Sequence, residues 1–454
     1  MPAMRRRETI RLGMIGAILM GLTAMYAAGQ PAPNDRTGSL PPEEVQPVYS
    51  PDPTDSWNLA FHTLFARTVR VRLSKEFAGA APLERVRVNG FPDLAISMSN
   101  FERIESGDRA IEPLDPFPVH IGSRSARQRV LFEPSFTRLK RALSDALRGG
   151  PRRSPLARAL MQSDLWAAHD VLLATRTSDE AQRACKEELL DLLAGSVKEL
   201  ALSTREVQEL PENYSSTRLP FDLFAEKGGW IEIEYLPDRA HDRAADYRRA
   251  TRIFLKPASP PADRSQWLNS LREEGADRDG KSVAGDGVRL EKLDAVALAV
   301  QLLLVDQNGV VVPTRLTYEV QVRTFLKGDT GKWSGTKLAV AELSRQALLE
   351  GLAGGLRPIE EEAPAYLPSA GNDYFFASAQ IGLPAREAVL APLRRRCESC
   401  HAEGVRTIFT FSVHAPARLP IRELNSTDNE HARFVCQRKM QRTEFKELRR
   451  RWDR

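Results

Sequence analysis

The sequence predicts an α+β fold with a mainly helical N-terminal half, antiparallel strands in the middle and a helical C-terminal segment. Three patterns carry that prediction. Between Ser135 and Leu202 apolar residues recur at intervals of three to four, the period of a helix with one buried face. Between Gly229 and Phe325 the period falls to two, as on a half-buried strand. From Ala385 the pattern becomes helical again. An apolar content of 42% and an aromatic content of 7% suit a globular body, and 454 residues fit two or three domains.

Arg5, Arg6, Arg7 and Arg11 precede an apolar run from Leu12 to Ala28 that ends in Ala27-Ala28-Gly29. Residues 1–29 therefore read as a secretory signal peptide, which places the body in the periplasm or otherwise outside the cytoplasm. An uncleaved membrane anchor is the alternative, because seventeen mostly apolar residues reach the lower limit for spanning a bilayer. Pro31, Pro33, Pro41, Pro42, Pro47, Pro51 and Pro53 make residues 30–55 an extended tether.

Residues 56–225 read as a mainly helical region. Trp57 to Phe65 is helical, and the Pro-interrupted stretch to Ile121 carries no firm assignment. Ser154-Pro155 is an N-cap followed by Pro at the first helical position, and Leu156, Leu160, Trp166 and Leu173 form its apolar stripe. Leu189, Leu193, Val197 and Leu200 form a second stripe, and Ser203-Thr204-Arg205-Glu206 is a capping box.

Residues 226–384 read as a mixed region with antiparallel strands. Ile231, Ile233 and Tyr235 alternate with glutamates, and Tyr318, Val320 and Val322 alternate with polar residues. Asn308-Gly309 predicts the hairpin between Leu302–Val305 and Val310–Val312. Asp263 to Asp286 reads as an exposed charged loop, and its Asp277-Arg278-Asp279-Gly280 lacks the remaining acidic ligands of a calcium loop. His62, His120, His169 and His241 are scattered singly as surface or satisfied core residues, and Glu360-Glu361-Glu362 reads as a solvated turn. No Gly-x-Ser-x-Gly, P-loop or HExxH motif occurs.

Residues 385–454 hold the chemistry. A helix over 385–396, with Val389, Leu390 and Leu393 on its apolar side, is expected to deliver the chain into Cys397-Glu398-Ser399-Cys400-His401. Two thiols three positions apart can add across the two vinyl groups of one porphyrin, and the adjacent imidazole can then ligate the iron. The spacing thus reads as a c-type haem attachment site, and such haem is normally added outside the bacterial cytoplasm, in keeping with the N-terminal signal. The run from Val389 to His401 resembles the haem-binding start of bacterial c-type cytochrome domains over about residues 385–405. That resemblance implies one covalent haem c on Cys397 and Cys400, with His401 as the proximal iron ligand. Downstream there is no Gly-Pro-x-Leu element and no Met in a Pro-flanked loop, so the likeness supplies no sixth ligand.

For the sixth position the order is His414, an open or water-filled site, His431, then Met440. Met440 ranks last because a single helix over about 428–452, with Phe434, Phe445, Leu448 and Trp452 as its stripe, turns it to solvent among Arg438, Lys439 and Arg442. Phe409 and Phe411 are candidate packing partners for the porphyrin. Cys185 and Cys436 are expected to pair or to lie buried in an oxidising compartment.

These features describe an exported monohaem electron carrier rather than an enzyme. The alternatives are a haem peroxidase or sensor with an open sixth position, and a haem-free exported interaction protein whose CxxC is a disulfide. A thioredoxin-like dithiol fits less well, because that motif follows a strand whereas helical sequence is expected here. Residues 391–454 hold fifteen Lys and Arg against eight Asp and Glu, a net +7, while residues 30–390 sum to −5. A basic haem end suits an acidic redox partner protein. Nucleic acid is an unsuitable partner for an exported chain with no recognisable nucleic-acid module.

Overall fold

The computed structural model describes residues 48–73, 85–88, 91–97, 109–113, 129–149, 152–214, 222–224, 228–235, 249–271, 292–327, 333–359, 364–368, 387–392, 421–423 and 430–454. Asp55 accepts a hydrogen bond from the Trp57 amide and opens α1, Ser56–Phe65. Four strands follow in the stretch that the sequence left unassigned: β1 (Ala66–Leu73), β2 (Arg85–Val88), β3 (Phe91–Ser97) and β4 (Arg109–Pro113). β1 holds the two-residue period plainly, with Val69, Val71 and Leu73 alternating with arginines.

The helical region then runs through α2 (Ser135–Gly149), α3 (Pro155–Leu173), α4 (Glu180–Glu199) and α5 (Thr204–Gln208). Ser154 caps α3 by accepting from the Ala157 amide, and Asp179 caps α4 by accepting from Gln182. The Ser203–Glu206 capping box forms as read, and the Ser203 amide holds the Glu206 carboxyl below its usual range. Leu189, Leu193, Val197 and Leu200 are fully buried. α3 is buried on nearly every face from Ala157 to Asp170, so it is a central helix rather than a surface helix with one stripe.

β5 (Ile231–Tyr235), β6 (Arg249–Pro257), α6 (Arg264–Ser270), β7 (Leu293–Val305), β8 (Val311–Lys327), β9 (Trp333–Leu343), α7 (Arg345–Leu349) and β10 (Leu356–Ile359) come next. The expected loop after Asp263 begins instead as α6, because Asp263 caps it and Leu268 and Leu271 have an apolar sheet face to cover. The calcium-like residues 277–280 and the Glu360–Glu362 run lie outside the described residues. β11 (Pro364–Pro368), β12 (Glu387–Pro392), β13 (Ile421–Glu423), α8 (Glu430–Gln441) and α9 (Thr443–Trp452) complete the order.

Two C-terminal expectations are corrected. Residues 387–392 form a strand, not a helix: β12 pairs in parallel with β1 and antiparallel with β11, so neighbours on both sides satisfy its backbone. The expected helix over 428–452 is two helices, broken where Arg442 adopts an extended ψ of 146°.

The strands form a seven-stranded antiparallel sheet in the order β10-β9-β8-β7-β6-β5-β13, a four-stranded mixed sheet in the order β11-β12-β1-β4, and the β2–β3 pair. β7 lies near the middle of the large sheet, and its run Val-Ala-Leu-Ala-Val-Gln-Leu-Leu-Leu-Val is buried almost throughout. One core joins α1–α4, α8 and α9 to one side of that sheet, and a smaller cluster of Ile231, Ile233, Leu255, Val296 and Phe325 lies with Leu268 and Leu271. All described residues belong to the unit Val45–Arg454. No helix among the described residues is long and apolar enough to cross a bilayer.

Candidate functional site

Cys397, Cys400, His401 and His414 lie outside the described residues, as do Phe409, Phe411, His120, His241 and residues 1–29. The structure does describe the flanks of the CxxCH segment. β12 ends at Pro392 as an inner strand of the mixed sheet, and β13 resumes at Ile421 by pairing with β5. The chain therefore enters from one sheet and is gathered again at the edge of another.

His431 is the second residue of α8. Met440 is half-buried and packed on the main core, not turned to solvent. The stripe of α8 is Ala432, Val435, Cys436 and Lys439, whereas Phe434 is 37% exposed. Small Ala432 and Cys436 let α8 approach β6 and β8 closely, which a stripe centred on Phe434 would not. Cys185 and Cys436 are both free; burial pushes the Cys436 thiol up to about 12.

The densest chemistry among the described residues sits inside the core on α3. Asp164 binds the guanidinium of Arg345, at the start of α7, through bonds of 3.0 and 2.9 Å, and also accepts from the Tyr49 hydroxyl. Tyr49 is positioned by Asn58 of α1, whose Oδ1 accepts from the amides of Val48 and Tyr49. Asp170 accepts from Lys439 Nζ at 2.8 Å, and both side chains are 1% exposed. The ammonium also stands 5.3 Å from the Trp166 ring centre, in reach of its π face. His169, read as surface or satisfied, is fully buried, and among the described residues neither ring nitrogen has a hydrogen-bond partner.

Sequence reasoning missed this cluster because Asp164, Asp170, Arg345 and Lys439 have the residue types of a solvated surface. One signal was available: Asp164 and Asp170 stand on a helix, Pro155–Leu173, that carries apolar residues on most of its faces. The cluster is sealed from solvent, so its acids and bases have no route to a substrate; it sets structure. No group of three or more His, Cys, Asp or Glu side chains among the described residues is arranged to hold a metal ion. No protein family, curated protein or solved structure matches this chain.

Proposed function

We propose that this protein is an exported c-type cytochrome that carries single electrons on one haem held by Cys397, Cys400 and His401. The observation that carries the reading is the CxxCH spacing itself, joined to an N-terminus of export type. The donor set suits the group: two thiols for two vinyls and one imidazole for the iron. When bound, the haem iron supplies one-electron exchange. The chain's part is to fix the porphyrin by two covalent bonds, to hold His401 on the iron, and to set the positive charge of Arg394-Arg395-Arg396 next to the motif in sequence. Localisation is periplasmic, or membrane-attached if the N-terminal segment is retained.

Protein produced with a cytochrome c maturation system should give a c-type pyridine haemochrome spectrum and keep its haem through acid-acetone extraction. Replacing both cysteines with Ala should release it. Haem that extracts freely from the unaltered protein would sink the reading. In the loaded protein, Met440→Ala should leave the iron's spectrum unchanged, in keeping with a thioether packed on the core.

A second reading is favoured by β12. A strand, not a helix, precedes Cys397-Glu398-Ser399-Cys400, which removes the objection to a dithiol that exchanges disulfides. Three adjacent arginines would lower the pKa of such a thiol and activate it. This reading requires two titratable thiols and no extractable or covalent haem, so the same experiment separates the two.

A further inference from the structure

His169 is one of several buried side chains with polar atoms left without a hydrogen-bond partner among the described residues, and it is the one with both ring nitrogens so left. The side chain is fully buried, and neither Nδ1 nor Nε2 has a hydrogen-bond partner among the described residues. Nδ1 faces Asp170 Oδ1 at 3.5 Å, beyond the length of a normal hydrogen bond. Asp170 in turn holds Lys439, and Lys439 lies over Trp166. Imidazole, carboxylate, ammonium and indole thus form one polar seam between α3 and α8. Trp166 Nε1 and Ser163 Oγ, on the same helix, are also buried without partners.

A neutral imidazole carries one N–H donor and one acceptor nitrogen. For the neutral ring, the carboxylate facing Nδ1 can only accept, which favours the tautomer with the proton on Nδ1 and leaves Nε2 as a bare acceptor. Burying such an acceptor unsatisfied is costlier than burying either an apolar ring or a hydrogen-bonded imidazole. We infer that His169 anchors an internal water site, in which an ordered water donates to Nε2. The ligand is small, neutral and able to donate; water meets that description and is what buried polar groups in protein interiors ordinarily recruit. The site lies within α3 and its neighbours, and does not depend on what the cysteines of residues 397–401 hold.

Nuclear magnetic resonance on the full chain tests this directly. Long-range proton–nitrogen correlation of His169 should show the Nδ1–H form with Nε2 accepting a hydrogen bond, and the ring protons should show cross-relaxation with a long-lived water. An Nε2–H form, or ring protons with no water contact, would overturn the proposal. Substitution gives a second readout of opposite sign for the two cases. With the water present, His169→Phe should lower the melting temperature and His169→Gln, whose carbonyl can still accept, should recover part of the loss. A rise in melting temperature for His169→Phe would mean that the ring nitrogens were bare, and the site would be refuted.

Discussion

Lys439 is an ordinary surface residue by type, yet it is 1% exposed and its ammonium is held by Asp170. Moving both charges out of water is costly, and their attraction in the core returns that cost only when the geometry is good and both partners are present. The pair therefore adds little net stability over an apolar one, but its two halves are not separable. Lys439→Met alone leaves a buried carboxylate without its ammonium and should destabilise by about 3–5 kcal/mol; Asp170→Leu alone should cost a similar amount. The double variant should recover most of that loss. Urea unfolding of the three proteins checks this, and single variants within about 1 kcal/mol of the parent would show that the two charges do not depend on each other. Arg345 and Asp164 obey the same logic with two bonds and the Tyr49 hydroxyl added, so α3 is bound by charge to α7 and to α8. What such pairs supply is register: a helix carrying Lys439 can dock where Asp170 is, and a shift of one residue strands both charges.

At the scale of elements, the β7–β8 turn shows local chemistry deciding structure. Asp306 Oδ1 accepts from the amides of Asn308 and Val310, and Gly309 takes φ +70°, which side chains with a Cβ rarely adopt. A Cβ there would also meet the Arg449 guanidinium of α9. Arg449 is flexible and can swing away, so the backbone sets the cost: Gly309→Ala should destabilise by about 1–2 kcal/mol, and Gly309→Asn by less, because Asn tolerates this region. Thermal unfolding that ranks Ala at or above Asn would contradict the argument. This turn, the Ser154 cap and the Ser203–Glu206 box were legible because each is spelled within a few adjacent residues. The CxxCH spacing is legible for the same reason. β12 was not: Glu387–Pro392 reads as well for helix as for strand, and the decision comes from β1 and β11, which are distant in sequence. The stripe of α8 was misread because bulky Phe434 outweighed Ala432 and Cys436, although small residues are what close packing on a sheet requires. The His169–Asp170–Lys439 cluster had only a faint local sign, aspartates on a helix with apolar residues on most of its faces, since it joins α3 to a helix far along the chain.

For the whole molecule, the charge map changes once the ion pairs are placed. By sequence the last 64 residues form a +7 block beside a body of −5. In the fold Lys439 is neutralised by Asp170, Arg450 by Glu447, and Arg451 by Glu187 and Asp191 of α4, while Lys198 donates to the carbonyl of Trp452. Much of the positive charge of α8 and α9 therefore fastens these helices to the body and has little field left to project. Arg394, Arg395 and Arg396, next in sequence to the proposed attachment residues, are then the charges expected to act on an approaching partner. In haem-loaded protein, reduction of an anionic oxidant such as ferricyanide should slow as salt rises, and a cationic cobalt complex should show the opposite trend. Replacing the three arginines with Gln should flatten both dependences. Replacing Arg450 and Glu447 together with Gln should leave both nearly unchanged, because the two charges already offset each other locally. Salt dependences that follow Arg450 and Glu447 and ignore Arg394–Arg396 would place the steering field on α9 and reverse this assignment.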